Sequence, residues 1–240
     1  MGLILNSLKI DSDSFPITDV YPFCLDVLRK TAGLRFEVTV TFFIGENGTG
    51  KSTLLRAMAR ACGIHIWRDE GRSSYHHNQY AEDLCRFLSL EWSNGKAPGS
   101  FFASEIFQYF SEYLDEWAKA DPLVFKDFGG DSLLVCSHGQ RHMQFFQSRY
   151  EKPGIYFLDE PENALSPKRQ IELLGVLREF ADRGKVQFFI ATHSPILLAF
   201  PGAVILSFDS APITRVEYED TDYFRIYREF LNDRGPFIRK

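Results

Sequence analysis

The sequence predicts an α/β domain: a mixed, mainly parallel sheet flanked by helices, with a helical insert. Three observations carry that expectation. An apolar, β-branched stretch ending "VTVTFFIG" runs into a glycine-rich loop and then a helical pattern. Further on, "GIYFLD" and "VQFFIATHS" are nearly continuous apolar runs joined by one helical segment. Such a pair forms a parallel βαβ unit, covered on both faces and crossing over right-handedly. Between the two halves, residues 68–132 turn to helical spacing. The 240 residues, 45% hydrophobic and 25% charged, suit a single domain over 1–240 with an insert at 68–132.

In chain order, "LILNSLKI" and "LRFEVTVTFFIG" read as strands by their β-branched and aromatic content. "TLLRAMARACG" reads as a helix that stops at Gly63. "YAEDLCRFLSLEW" and "ASEIFQYFSEYLDEWAKA" carry apolar residues at helical spacing, in the second case Ile106, Phe107, Phe110, Tyr113, Leu114 and Trp117. "SNGKAPGS" between them is a loop by its glycines and proline. Ser166 offers a cap and Pro167 the first position of a helix that ends at Gly184. "AVILSFD" and "ITRVEYE" predict a peripheral strand pair, before a terminal helix near "YFRIYREFLN".

Composition excludes some functions. A net charge of −5 argues against binding nucleic acid with the whole surface, although a local basic patch is compatible with it. The cysteines Cys24, Cys62, Cys85 and Cys136 are scattered without a CxxC pair, as expected of free thiols in a reducing compartment. "MGLILNSLKIDSD" lacks the basic start of a signal peptide, and the longest apolar stretch, "PILLAFPGAVIL", is too short to span a bilayer. The expected location is cytoplasmic, with no membrane insertion.

"GENGTGKS", residues 45–52, matches G-x-x-x-x-G-K-[ST] between a strand and a helix, the context that this phosphate-binding loop requires. A chance match in a chain this long is roughly a one-in-a-hundred event. Its glycines let successive backbone N–H groups turn inward toward a phosphate, and the new helix adds its positive end. Lys51 supplies charge to the β- and γ-phosphates, and the Ser52 hydroxyl is a ligand for Mg²⁺. Asn47, Gly48, Thr49, Gly50 and Thr53 complete the expected nucleotide-contacting set, so a P-loop NTPase that binds a nucleoside triphosphate with Mg²⁺ is expected. A second metal ligand belongs at the end of a neighbouring strand, where "IYFLDE" offers Asp159. Glu160, one residue on, is the candidate general base. His193 ends the next strand in "ATHS", where it could touch both the γ-phosphate and the attacking water.

One stretch calls for a different kind of reading. In "CSHGQRH", Ser137 and Gln140 fit S-x-x-Q, a capping box, which by itself only starts a helix. A capped helix start followed by glycine is also a ready anion site. The order of phosphate loop, capped glycine motif, acidic strand and histidine resembles the ATP-binding cassette (ABC) ATPases. Within that class the chain is most similar to the small stand-alone bacterial ATPases of the AAA/ABC type with an "SHG" signature. The likeness rests on "VTFFIGENGTGKSTLL", "CSHGQ", "YFLDEPENALSP" and "IATHSPILLAFPGA".

The resemblance implies that "SHGQ" is the signature motif, closing over the nucleotide of a partner subunit. Ser137 and Gly139 would then contact ATP in trans, supported by Gln140, and Ala164, Leu165 and Ser166 would lie at the dimer seam. His138 departs from the glycine of transporter subunits. The Q-loop departs too: it reads Ala103, Ser104, Glu105, which makes Glu105 the candidate for the metal-proximal position.

The implied function is an ATPase whose ATP-bound state is a head-to-tail homodimer driving an unidentified protein partner. Two alternatives stand beside it. A DNA-associated head related to SMC and recombination ATPases is unsupported by the charge, and 68–132 is too short for a long coiled-coil arm. The ATPase subunit of a membrane transporter is disfavoured by the missing Q-loop glutamine and by His138.

Overall fold

The computed structural model describes residues 3–67, 78–121, 123, 125 and 138–238. Strands β1 (Leu5–Ile10), β2 (Gly33–Arg35) and β3 (Val40–Ile44) are the first three, with the short helix α1 (Asp26–Lys30) between β1 and β2. Helix α2 (Lys51–Ala61) follows β3, and β4 (Leu88–Trp92) and β5 (Gly99–Ala103) precede the long helix α3 (Ser104–Ala120). The second half runs α4 (His138–Tyr150), β6 (Gly154–Asp159), α5 (Pro167–Asp182), β7 (Val186–Ala191), α6 (Pro195–Leu198), β8 (Val204–Ser207), β9 (Thr214–Val216), α7 (Asp222–Asn232) and α8 (Gly235–Ile238).

Two sheets result. The larger has strand order β5-β6-β7-β3-β8-β9, all parallel except the antiparallel edge pair β8–β9. The smaller, β2-β1-β4, is antiparallel. Every residue of β3, β6 and β7 is buried, as expected for parallel strands covered on both sides.

Because side chains alternate along a strand, the central sheet feeds two separate cores. Phe43, Phe157 and Phe189 face one way, onto Leu54, Leu55 and Met58 of α2 and onto Leu5 and Leu8 of the small sheet. Phe42, Leu158 and Phe188 face the other way, onto Phe107, Phe110 and Leu114 of α3, Phe146 of α4, and Leu173 and Leu177 of α5. Burying one such aromatic or leucine is worth about 1.5–3 kcal/mol, so each face anchors the helices that carry the loops. Gln187, fully buried in β7, stitches the two sheets: its Oε1 accepts from Leu5 N at 2.8 Å and its Nε2 donates to Leu5 O at 3.0 Å. That satisfies a buried amide that would otherwise be costly.

Four expectations from the sequence change. "LRFEVTVTFFIG" is not one strand: β2 pairs with β1 in the small sheet, and only after a break does β3 enter the main one. Within 68–132, expected to be helical, "LSLEW" is strand β4, whose alternating exposure suits an edge rather than a core helix. The expected loop "SNGKAPGS" runs into β5, an edge strand of the main sheet whose Phe101 and Phe102 anchor opposite faces. Of the expected peripheral pair, β8 is an inner strand pairing parallel with β3, and β9 alone is the edge. The parallel β6–α5–β7 unit, the Ser166 cap and the terminal helix α7 are present as expected.

All parallel strands end on the same side of the sheet. Register aligns Ala103, Asp159, Ala191 and Phe43 in one row across β5, β6, β7 and β3. Whatever follows each of these residues emerges together, at the edge where open α/β sheets bind ligands.

Candidate functional site

The loop after β3 curls as its glycines require. Gly50 caps α2 with φ 104°, a left-handed conformation that side chains resist. A Cβ on Gly45 (φ 141°) would come within 3.0 Å of both Asp209 Oδ1 and Thr49 Oγ1. Asp209 itself fixes the loop by accepting from Glu46 N at 2.8 Å, and Thr49 Oγ1 closes the turn onto Glu46 O at 2.9 Å. Asn47 and Gly48 form the exposed crest. Lys51 is only 4% exposed and donates to the Gly45 and Glu46 carbonyls, the latter at 2.9 Å. Burial lowers the pKa of Lys51, opposed by the charges of Glu160, Asp209, Asp159 and Glu46. Thr53 Oγ1 lies 2.7 Å from the hydroxyl of Tyr21, a residue that is 45% exposed.

Across from the loop, Ser52 Oγ donates to Asp159 Oδ1 at 2.6 Å. Asp159 Oδ2 accepts from Arg56 Nε at 3.3 Å and from a second nitrogen of the same guanidinium at 3.2 Å. Burial raises the pKa of Asp159, countered by the Arg56 charge and the Ser52 hydrogen bond. Arg56 also pairs with Glu105 at the start of α3. The predicted residues Ser52, Asp159, Glu160 and Glu105 therefore line one polar recess of about 110 Å³ together with Arg56 and Asn163. Within it the Glu105 carboxylate is held on Arg56, and Ser52 on Asp159. A hydroxyl and a carboxylate oxygen in contact are hard donors, suited to a small divalent cation that takes few protein ligands and completes its shell with water and phosphate. That chemistry fits Mg²⁺.

Glu160 is the single non-glycine residue with positive φ among the described residues, at φ 49° and ψ 55°. Such a conformation costs of order 1–3 kcal/mol and persists where its surroundings over-determine it. Here Glu160 N donates to Ala191 O at 2.9 Å, Ser104 Oγ donates to Glu160 O at 2.7 Å, and Asn163 Nδ2 donates to Glu160 Oε2 at 2.6 Å. Glu160 Oε1 stands 3.5 Å from His193 Nε2, too long for a hydrogen bond.

His193 is held by both neighbours. Its backbone N donates to Glu162 Oε1 at 2.6 Å, and its Nδ1 is 2.9 Å from the Tyr223 hydroxyl, which donates to Gly45 O at 2.9 Å. Burial and the nearby Lys51 charge lower the pKa of His193 against the pull of Glu160. Burial also pushes the Tyr223 phenol up to about 12.

Lys51, Ser52, Asp159, Glu160 and His193 thus converge from three strand ends. Gly139 and Gln140 lie in the first turn of α4, which packs against α5 and the 161–164 turn, while Ser137 falls outside the described residues. Sequence reasoning missed Arg56, Asp209, Tyr223, Asn163 and Glu162. Asn163 and Glu162 sit inside the quoted "DEPEN" and could have been weighed there. The other three carry no local signal.

Comparison with known proteins gives a consistent picture. Residues 134–199 match the family model described as "AAA domain, putative AbiEii toxin, Type IV TA system". The chain is 31% identical over 158 residues to the ferric enterobactin transport ATP-binding protein FepC of Escherichia coli, covering 58% of this chain and 56% of that one. It is 25% identical over 172 residues to the petrobactin import ATP-binding protein FpuD of Bacillus anthracis, covering 64% and 62%. The chain therefore spans about three-fifths of the length of these curated relatives. Among solved structures, cbiO1 from Clostridium perfringens, part of the ABC transporter complex cbiONQ, superposes with a TM-score of 0.51 at 18% identity over 96% of each chain. The SMC head domain from Thermotoga maritima does so with a TM-score of 0.50 at 15% identity, over 90% of this chain and all of that one. At these identities the likeness shows a shared fold. No helix among the described residues is long and apolar enough to cross a membrane.

Proposed function

We propose that this chain is an ABC-type ATPase that binds ATP with Mg²⁺ and hydrolyses it between two copies of itself. The observation that carries the reading is the 2.6 Å contact of Ser52 with Asp159, flanked by buried Lys51 and by Glu160 in its forced conformation. The 45–52 loop and the N-terminus of α2 bind the β- and γ-phosphates through backbone N–H groups, with Lys51 exchanging its carbonyl partners for phosphate oxygens. The exposed ring of Tyr21 offers a face on which the base can stack. Ser52 and Asp159 would hold the Mg²⁺, whose chemistry is to neutralise charge on the terminal phosphates; Glu105 is an outer candidate, reaching that site only by leaving Arg56. Glu160 is the general base: Asn163 restrains Oε2, and Oε1, 3.5 Å from His193 Nε2, would take a proton from water.

In the dimer, Ser137 and Gly139 cap the triphosphate of the opposite copy, with Gln140 behind them and the 164–166 segment at the seam. Because those contacts exist only with the γ-phosphate in place, ATP binding favours association and hydrolysis reverses it. A cytoplasmic protein that lends this cycle to a protein partner is the corresponding cellular picture. Mixing Lys51→Ala with Ser137→Arg, each inactive alone, tests the shared site. A mixed dimer retains one intact composite site and should recover part of the activity. Demonstrated mixed dimers without rescue would remove the trans arrangement.

The transport names of the sequence relatives favour a second reading, the ATPase subunit of a membrane transporter. Co-purification with a permease would select it.

A further inference from the structure

Arg56 stands four residues after Ser52 on α2, so both side chains leave the same face of the helix and reach the same carboxylate. Ser52 holds Asp159 Oδ1, and Arg56 holds Oδ2 through Nε at 3.3 Å and Nη2 at 3.2 Å. The same Nη2 pairs with Glu105, the first-turn acid of α3. On a third side the Phe101 ring centroid lies 5.9 Å from the guanidinium carbon. The Asp159 side chain is 6% exposed and that of Glu105 65%. One guanidinium thus bridges a buried acid in the polar recess and an exposed acid at its rim. A guanidinium and a divalent cation on one buried carboxylate repel each other at close range, where solvent screens little. Glu105 gives the guanidinium another resting place within its reach. The Phe101 ring lies within cation–π range along the way, and the weak hydration of an arginine head suits such a move.

We propose that Arg56 is a positioning residue that competes with a divalent cation for Asp159, and that Glu105 receives Arg56 when the cation prevails instead of ligating the cation itself. With Arg56 on Asp159, the two acids share one guanidinium. With the cation on Asp159, each acid has a positive partner of its own. In neither arrangement is a buried carboxylate left without a counter-charge, the condition that is costly in a protein interior. Only the Arg56 side chain has to move. Because it keeps its hold on Glu105 throughout, α2, which opens at the phosphate loop, stays tied to the start of α3 during the exchange. Glu105 then acts on the metal through Arg56, not by the direct approach expected from the sequence.

The part this exchange plays in turnover rests on the proposed ATPase function; the competition for Asp159 does not. The test titrates Mn²⁺ alone into nucleotide-free protein and follows the electron paramagnetic resonance signal of the free ion. Salt is kept at about 0.15 M, where exposed charges more than ~8 Å apart are largely screened. Arg56→Gln should bind Mn²⁺ about tenfold more tightly than the unaltered protein, as expected for releasing a partly buried ion pair. Glu105→Gln should bind it about threefold more weakly, because Arg56 then has no second acid to move to. That loss alone would fit a ligand as well as a receiver, so the double variant decides. Once Arg56 is gone, replacing Glu105 should cost nothing, and the double variant should match Arg56→Gln. A double variant weaker than Arg56→Gln by the factor that Glu105→Gln loses on its own would make Glu105 a ligand and overturn the inference. So would an Arg56→Gln protein that binds Mn²⁺ no more tightly than the unaltered one. If Arg56→Gln folds poorly, Arg56→Lys replaces it, since lysine keeps the charge but cannot fork onto two carboxylates. Tighter Mn²⁺ binding than in the unaltered protein is expected there too, and equal or weaker binding overturns the inference. Undiminished nucleotide affinity in Lys51→Ala would instead sink the ATPase reading and leave the Mn²⁺ results standing.

Discussion

The two flanks of the acidic pair differ in how completely they are bonded. On the Asp159 side both carboxylate oxygens are engaged, by Ser52 and by Arg56, and Arg56 is shared with Glu105. On the Glu160 side, one carboxylate oxygen faces His193 Nε2 across 3.5 Å, and Nε2 and Glu162 Oε2 are buried without hydrogen bonds among the described residues. Buried polar atoms are normally satisfied, and those that are not tend to mark working groups. The Asp159 flank is a finished scaffold in which one guanidinium holds two carboxylates. The Glu160 flank keeps buried polar atoms without hydrogen-bond partners among the described residues.

Five changes break or sharpen that contrast. The largest effect is expected from Lys51→Ala, which removes the cation common to both flanks. Nucleotide affinity should drop by at least about 100-fold, in line with the loss of a charge-assisted contact to phosphate. Titration with a fluorescent ATP analogue reads it, and an unchanged Kd would refute the assignment of the loop. Next, Glu160→Gln on the open flank should lower kcat by about 10²–10⁴-fold while ATP still binds. The protein should then collect as a dimer on a sizing column with ATP, and normal turnover would mean that the base is elsewhere.

On the finished flank the cost should fall on stability instead. Arg56→Ala leaves Asp159, 6% exposed, without its cation. Because Arg56 itself is 40% exposed, the loss should lie between the surface and the fully buried limits, at about 2 kcal/mol. A shift in the urea midpoint measures it. Glu105→Gln should be far milder, below about 0.5 kcal/mol, since that carboxylate is 65% exposed. If Glu105 has a place near the metal, the variant should instead need more Mg²⁺ for half-maximal nucleotide binding.

The smallest effect is a pH dependence. The pKa of His193 is lowered from its ordinary value of 6.5. Below that pH the unfolded chain therefore takes up a proton that the folded chain declines, and stability falls as pH drops. Urea midpoints at pH 7.5 and 5.5 should differ by less in His193→Asn than in the unaltered protein. An equal difference would mean that His193 is not held neutral.

Not every element was legible in advance. The glycine-rich turn at 45–52 was, because glycine spacing and the strand–loop–helix context act within a few residues and dictate backbone geometry directly. The βαβ unit was, because continuous apolar runs such as "VQFFIA" suit only a strand covered on both faces. Strands β4 and β5 were not. "LCRFLSLEW" carries helix-compatible apolar spacing, and only pairing with β1 turns its half as a strand; "GSFFA" is too short to announce itself after a proline and a glycine. Of the site, Lys51, Ser52, Asp159, Glu160 and His193 could be named from local pattern. Arg56, Asp209 and Tyr223 could not, since each acquires its part through a partner more than a hundred positions away.

By itself, then, the order of residues determined the glycine-rich loop at 45–52, the strand that ends in two acids and the α/β rhythm around them, all of which depend on neighbours along the chain. Only the tertiary structure decided which side chains close around those groups. Bringing β3, β6 and β7 into one register row makes Gly45, Asp159 and His193 neighbours, and the docking of α7 then carries the Tyr223 hydroxyl between two of them. Hydrogen bonds are directional and act over about 3 Å, so these partnerships exist only once the sheet is assembled.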